Sequence, residues 1–551
     1  ASKGELPDAR ALLYKECIDL LLLRWRQPHG APDLLTQLGL SQFRSSDLLA
    51  LMARMGFAAH EQATPDATTP RPTDLTEGQV IELLAEEFRR YDSAHRYALA
   101  QTVLDALAER NGLLLKHGPK RYHFPHRTFQ EFLAGYHLKG QQRDYHKLCV
   151  ERARQPQWHE ALTLMVGYQV LEDRELERPL DLVAKLVVRG PLEQALGGEL
   201  LAQIGAERAA SYDPAMLATD GLWARTCAVL RCLVTTGQAP DVAAPLRARA
   251  GLALGQLCYG DLGQRGRGVA PTHADPRLLD PMVGTAPDGR YWCPVEAGTF
   301  WYGDDQKGAL TQMTLAYGFK IARYPVTNAE FAAFIAAGGY ERQEWWTDEG
   351  WKFLQPGGHR YDDQEQRITL PRYWDDPNFN NPLQPVVGVS WYEAAAYVRW
   401  LTAQGHAARW LLPDDAIRLP TSLEWECAAR GLDDQRRYPW GNDAPTPERA
   451  NYDQTQIGTS TPIGCFPTGA AACGAEDLAG NVWEWMATSN DRPQQATPEK
   501  DFTPNEGVLV SGSAFWREEA RLCCGSRSGF DPDGRYYFRS FRVIWPARAS
   551  E

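Results

Sequence analysis

No apolar run in this 551-residue chain approaches the roughly 18 residues of a membrane span; the longest candidate, Leu20–Leu23, stops at Arg24. The opening ASKGELPDAR has neither the basic flank nor the apolar stretch of a secretory signal. Basic charge is short, with 58 Lys and Arg against 70 Asp and Glu, a net charge of −12. That balance excludes the broad basic footprint of a general nucleic-acid binder. The 11 cysteines are odd in number and scattered without framework spacing, so reduced thiols and a cytoplasmic setting are expected. Histidine is scarce after residue 290, where only His359 and His406 occur. The dipeptide Gly-Lys occurs nowhere, which excludes a P-loop in this chain. The run GDLGQRGRG at Gly260–Gly268 has no lysine and reads as linker.

What is present is an ordinary globular composition, 44% apolar and 23% charged, with length for about three or four domains. Tryptophan divides the chain: of the 18, only Trp25, Trp158 and Trp223 precede residue 290. The N-terminal half is rich in Leu, Ala, Arg and Glu at helical spacing, as in Leu12, Leu13, Cys17, Leu20, Leu21 and Trp25. The second half is punctuated by Gly, Pro, Trp and Tyr in short segments, which predicts β-rich structure with a few helices. The fold class is therefore α+β and multidomain, with an all-α and winged-helix first half.

Pro65–Pro72 reads as a loop, and the helical pattern from Ala98 to Arg110 runs into Gly112, a C-cap candidate. Leu113–Leu115 and Tyr122–Phe124 flank the turn His117-Gly118-Pro119-Lys120. A helix follows with Phe129, Phe132, Leu133 and Tyr136 on one stripe. Helix, hairpin, helix is a winged-helix arrangement, but its second helix lacks the basic face of a DNA reader. The stretch NGLLLKHGPKRYHFPHRTFQEFLAGYHL resembles the winged helix of NACHT-type signalling ATPases, through Phe124, His126, Phe129, Gln130, Glu131 and Phe132. The resemblance implies that His126 contacts the phosphates of bound ADP. A capping histidine at a helix start is the alternative, and both stay open. It also implies an ATPase domain upstream as partner, with ATP or ADP bound only in its presence. The expected divisions are a lid-like segment at 1–70, the winged helix at 71–145, a helical spacer and linker at 146–280, and a last domain at 281–551.

That last domain carries VEAGTFWYGDD from Val295, QPVVGVSWYEAAAYVRWL from Gln384, IRLPTSLEWECAARG from Ile417, YPWGN from Tyr438 and GAEDLAGNVWEWMATS from Gly474. These motifs resemble the formylglycine-generating enzyme or sulfatase-modifying factor family, which implies a C-type-lectin-like fold. By themselves they read as architecture. Trp391, Tyr392, Ala395, Tyr397 and Trp400 share a helical face, Thr421 and Glu424 form a capping box, and Arg418 and Arg430 await acidic partners. Gly480, Asn481, Trp483 and Trp485 mark a tight turn entering a tryptophan-rich core. The family's oxidase chemistry implies a copper-binding cysteine pair soon after the Gly-Ser motif, where this chain has Phe515–Arg521. Cys523 and Cys524 come later and are adjacent, a poor two-thiolate clamp. No catalytic residue is therefore expected, and the copper-dependent oxidase acting on protein cysteine is the alternative.

The tail, residues 514–543, also resembles the variable proteins diversified by retroelements. Arg527, Pro532, Asp533, Arg535, Phe541, Arg542 and Val543 fall on that pattern's fixed positions. Ser526, Ser528, Gly529, Phe530, Asp531, Gly534, Tyr536, Tyr537 and Phe538 fall on variable ones, and Phe515, Trp516, Arg517, Glu519 and Arg521 align upstream with one extra residue. Aromatics interleaved with Arg517, Arg521, Arg535 and Arg539 are the residue types of a paratope. The expected function is a ligand-binding sensor for a protein ligand, in a NACHT-type defence protein without nucleic-acid or membrane partners; a passive oligomerisation scaffold is a third reading. The family resemblance further implies calcium near Asn451 and Asn481, with Asp453 and Asp477 nearby and no other cofactor expected.

Overall fold

A computed structural model describes residues 6–23, 44–63, 72–110, 113–235, 242–260, 274–304, 308–359, 365–432 and 434–546. Gly112, Trp25 and nearly all of the 65–72 and 260–268 loops lie outside these residues. The chain forms two compact units, Ala1–Thr226 and Cys227–Glu551. Among the described residues no helix is long and apolar enough to cross a membrane.

The first unit begins with α1 (Leu6–Leu23), α2 (Ser45–Glu61), α3 (Glu77–Phe88), α4 (Arg96–Arg110) and α5 (Arg127–Lys139). A small antiparallel sheet, ordered β1 (Leu75–Thr76), β3 (Arg121–His123), β2 (Leu115–Lys116), completes the winged helix. Its turn places Gly118 and Lys120 at positive φ. The stripe of α5 packs as its spacing requires: Phe132 and Leu133 are buried, with Phe129 and Tyr136 half-buried against the same core. The stripe of α1 does not. Ala11 and Ile18 face inward, whereas Leu13 and Leu20 are each 47% exposed. Gln130 wires the motif together. It accepts from Thr73 N (2.9 Å) and donates to His60 Nδ1 (3.1 Å), while His60 Nε2 donates to the Gln157 carbonyl (2.9 Å). Five further helices follow: α6 (Tyr145–Ala153), α7 (His159–Leu171), α8 (Glu177–Leu186), α9 (Pro191–Ile204) and α10 (Ala206–Tyr212). Helix α11 (Leu222–Thr235) leads into the second unit.

The second unit contains α12 (Ala244–Tyr259), α13 (Asn328–Ala336), α14 (Asp348–Phe353), α15 (Trp391–Ala408) and α16 (Ser422–Arg430). Capping boxes start α13, α15 and α16, from Thr327 and Glu330, Ser390 and Glu393, and Thr421 and Glu424. Strands β4 (Trp292–Val295), β7 (Phe319–Ala322) and β12 (Ile544–Pro546) form one sheet, and β5 (Gly298–Tyr302) with β6 (Thr311–Leu315) another. The third, ordered β10 (Arg527–Phe530), β9 (Val508–Gly512), β8 (Trp483–Ser489), β11 (Arg539–Ser540), is antiparallel except for the β8–β11 pair. Every residue of β8 is buried, with Trp483 and Trp485 in the largest aromatic core. The turn before β8 admits only glycine at 480, where φ is +81° and a Cβ would sit 2.3 Å from the Asn451 carbonyl.

Candidate functional site

The tail is sewn into the second unit at its fixed positions. Arg535 forks onto Glu393 through Nε and Nη2, both at 3.1 Å, and Tyr340 donates to the same carboxylate at 2.6 Å. Arg542, wholly buried, grips Glu484 with two bonds of 2.7 Å and donates to the carbonyls of Ala322 and Glu476. Arg527 pairs with Glu426 at 2.9 Å and lies 4.0 Å over the Tyr302 ring. The Pro532 carbonyl accepts from Trp391 N, and Phe541 and Val543 are core. Each ion pair is deep enough that losing one partner would strand a buried charge.

The positions between these anchors are more open. Trp516 and Tyr537 are each 37% exposed, Gly529 and Arg521 are exposed, and Arg517, Glu519, Ser528, Phe530, Asp531, Tyr536 and Phe538 are half-buried. The expected display does not extend to Phe515, 5% exposed, to Ser526, 1% exposed, or to Gly534. Phe515 is turned inward because its N–H is drawn to the Asn481 carbonyl (3.1 Å) and its ring packs on Phe379. Ser526 sits where the chain turns into β10, and a Cβ on Gly534 would meet Arg539 Nη1 at 2.5 Å. Arg535 and Arg539 are likewise buried, which leaves Arg517 and Arg521 as the accessible cations among the four named.

The open aromatics make one continuous face. Trp516 meets Phe538 edge-on with centroids 5.6 Å apart, and Phe538 meets Tyr536 at 5.4 Å and Tyr537 at 5.1 Å. Under them the Arg539 guanidinium lies 3.5 Å from the Phe530 centroid, 4.2 Å from Tyr536 and 5.0 Å from Trp485, so a cation holds the face to the core. At the rim, Arg517 stacks 3.9 Å over Trp516; burial and the like charge of Arg521 hold its guanidinium below its usual value. Sequence reasoning missed the other half. Tyr373 and Phe379, from a loop rich in Asp, Asn and Pro, pack against Tyr537 at 6.0 and 5.6 Å. Aromatics inside so polar a loop were the available signal, since no periodicity marks them.

Two cofactor expectations can be tested on this geometry. Asn481 Oδ1 accepts from Thr461 N (2.8 Å), Thr461 Oγ1 (3.3 Å) and Asn451 Nδ2 (3.3 Å). Asn481 N donates to the Asn451 carbonyl, so the two asparagines clasp neighbouring loops. Asp453 is exposed, and burial, then Glu476, pushes the Asp477 carboxyl up to about 8. Asn451 Oδ1 and Asp477 Oδ2 are buried without a hydrogen-bond partner, but calcium needs six to eight oxygens, several of them ionised, and Asn481 Oδ1 is already taken by three donors, so these residues alone do not complete a calcium site. Among the described residues no group of three or more His, Cys, Asp or Glu is placed for a metal. Nor do the adjacent thiols form a clamp. Cys523 Sγ lies 3.8 Å from Asp304 Oδ1, whereas Cys524 packs in a separate hydrophobic core and burial raises its thiol pKa. In the first unit His126 is the exposed N-cap of α5, its Nδ1 accepting from Thr128 N at 3.2 Å.

Residues 285–547 match the sulfatase-modifying factor enzyme 1-like domain, and residues 10–138 match the winged helix-turn-helix domain C-terminal to NACHT. A formylglycine-generating enzyme of Thermomonospora curvata is 34% identical over 231 residues, covering 35% of this chain and 69% of that protein. The chain belongs to the sulfatase-modifying factor family. An inactive formylglycine-generating enzyme 2 of Mus musculus is 30% identical over 236 residues, 38% of this chain and 70% of its own. A hercynine oxygenase of Mycolicibacterium thermoresistibile is 37% identical over 253 residues, 41% of this chain and 50% of its own. The chain thus spans about half the length of the hercynine oxygenases it matches. Its relatives include an oxygenase, a formylglycine-generating enzyme and a protein named inactive.

Proposed function

We propose that the second unit is a non-catalytic ligand-binding module, the sensor of a NACHT-type signalling protein, and that the aromatic face is where a protein ligand docks. The observation that carries this reading is the division within the tail. Arg527, Arg535 and Arg542 are clamped to Glu426, Glu393 and Glu484, while Trp516, Tyr537 and their neighbours lie open between them. Such a tail tolerates replacement at the open positions without loss of the scaffold, which suits a diversified variable protein. Rigid aromatics with few rotatable bonds are efficient anchors. An upstream NACHT domain is the partner that the winged helix implies, and His126, with Nδ1 accepting, carries its ring proton on Nε2, available to a phosphate. Cytoplasmic location belongs to the same reading.

The second reading, a copper-dependent oxidase acting on protein cysteine, is favoured by the identity to the Thermomonospora curvata enzyme. Oxygen consumption with Cu(I) and a cysteine-containing peptide separates the two. The sensor reading expects the rate of the peptide and copper alone; turnover that Cys523→Ser or Cys524→Ser abolishes would replace it with the oxidase.

A further inference from the structure

Helix α12 lies outside the matched family segment yet is built into the second unit. Arg247, 2% exposed, donates to the Cys465 carbonyl at 2.6 Å and pairs with Glu448 at 2.5 Å. One turn and then two turns on, Gly251 and Gly255 let neighbouring loops touch the helix backbone: a Cβ on Gly251 would lie 2.8 Å from Pro462, and one on Gly255 2.2 Å from Asn381 Oδ1. Asn381 Nδ2 donates to the Leu252 carbonyl at 2.8 Å.

Two residues before Asn381 stands Phe379, part of the aromatic face. The stretch between them has little freedom. Asn328 Nδ2 donates to the carbonyls of both Phe379 and Asn381, each at 2.8 Å. Gln384 Nε2 donates to the Asn378 carbonyl at 3.0 Å and the Ser460 carbonyl at 2.6 Å, and its Oε1 accepts from Asn381 N at 3.1 Å. Leu383 N in turn reaches Asn381 Oδ1 at 3.1 Å. A segment tied at both ends and in the middle moves as a piece, so what restrains Phe379 restrains Asn381.

Resting on the binding-face reading above, we propose that residues 376–384 relay occupation of the aromatic face to helix α12, with Phe379 as the receiving side chain and Asn381 as the contact that delivers it. A ligand covering Tyr537 and Phe379 orders the loop, and the ordered loop holds the Leu252–Gln256 turn of α12 more firmly. The coupling is by restraint, without a change of fold. Helix α12 follows α11 in chain order, and α11 spans the boundary between the two units, so the signal arrives close in sequence to the segment that joins the sensor to the first unit.

The test is hydrogen exchange on the whole chain, with a single-domain antibody as probe, selected on the wild type and counter-selected on Trp516→Ser/Tyr537→Ser. Binding is expected to slow exchange three- to tenfold both at residues 378–384 and at Leu252–Gln256. Asn381→Asp, which keeps the acceptor and removes the donor to Leu252, is expected to retain the first effect and lose the second. Phe379→Ala, needing no antibody, is expected to speed exchange at Leu252–Gln256 at least threefold. Unchanged α12 exchange in either wild-type or Phe379→Ala experiment overturns the relay. It leaves the face reading standing, because that reading is tested by variation at the open positions and not by an antibody chosen to bind there.

Discussion

Replacing Trp516 and Tyr537 together by serine separates a displayed face from a core. Each side chain keeps 37% of its exposure, and neither carries a tail anchor. Both rings lean on neighbouring rings yet line no core, so the pair is expected to cost about 1–2 kcal/mol, less than the loss of one core ring. Two controls set the opposite scale. Trp485 is wholly buried, with Nε1 donating to the Val389 carbonyl at 3.0 Å, and Trp485→Ala is expected to cost about 3–5 kcal/mol. Arg542→Met removes the guanidinium from the buried Glu484 and leaves it the Trp425 Nε1 donor (2.7 Å), also about 3–5 kcal/mol. Urea unfolding followed by tryptophan fluorescence reads the second unit, since all but three of the 18 tryptophans follow residue 290. A loss of about 3 kcal/mol or more in the serine pair would place these aromatics in the core and refute the display.

The raised Asp477 carboxyl makes a signed claim. Its folded value near 8 lies above the ordinary 3.8, so the folded state holds a proton that the unfolded state releases, and stability falls as pH rises between those values. Asp477→Asn, tolerated at φ +58°, is expected to raise the urea midpoint at pH 8 and leave it nearly unchanged at pH 4. In the first unit burial lowers His60 and His137 to about 4, so both fold neutral. Stability there is expected to drop as pH falls from 6.5 toward 4, and His60→Gln should flatten part of that slope in circular dichroism melts. Exhaustive EGTA treatment is expected to leave the melting temperature unchanged; a fall reversed by calcium would show that the Asn451–Asn481 clasp holds the ion after all.

What was legible in the sequence was mostly local. Thr421 and Glu424 cap α16 because three residues fix both partners, and Arg418 and Arg430 find Glu424 and Glu426 within six and four residues. The winged helix follows from one turn and one stripe. What stayed hidden depends on distant partners. Arg535 looked like a binding cation because Glu393 stands 142 residues upstream, and Arg539 because its aromatic surround assembles only on folding. Phe515 was expected at the surface, but its neighbour Phe379 comes from a loop that no periodicity marks. On α1, apolar spacing alone did not distinguish Ala11 and Ile18, which pack, from Leu13 and Leu20, which do not.

The central claim is that the tail's open positions are free to vary for binding while its anchors are not. Sequencing the 3′ coding end across many sibling copies of the gene tests it without knowing the ligand. Replacements are expected at Trp516, Ser528, Phe530, Asp531 and Tyr536–Phe538, together with a nearby reverse transcriptase gene and a near-copy of the tail, and with Arg527, Arg535 and Arg542 unchanged. Replacements spread evenly over open and anchored positions, or an open face as constant as the anchors, would contradict it.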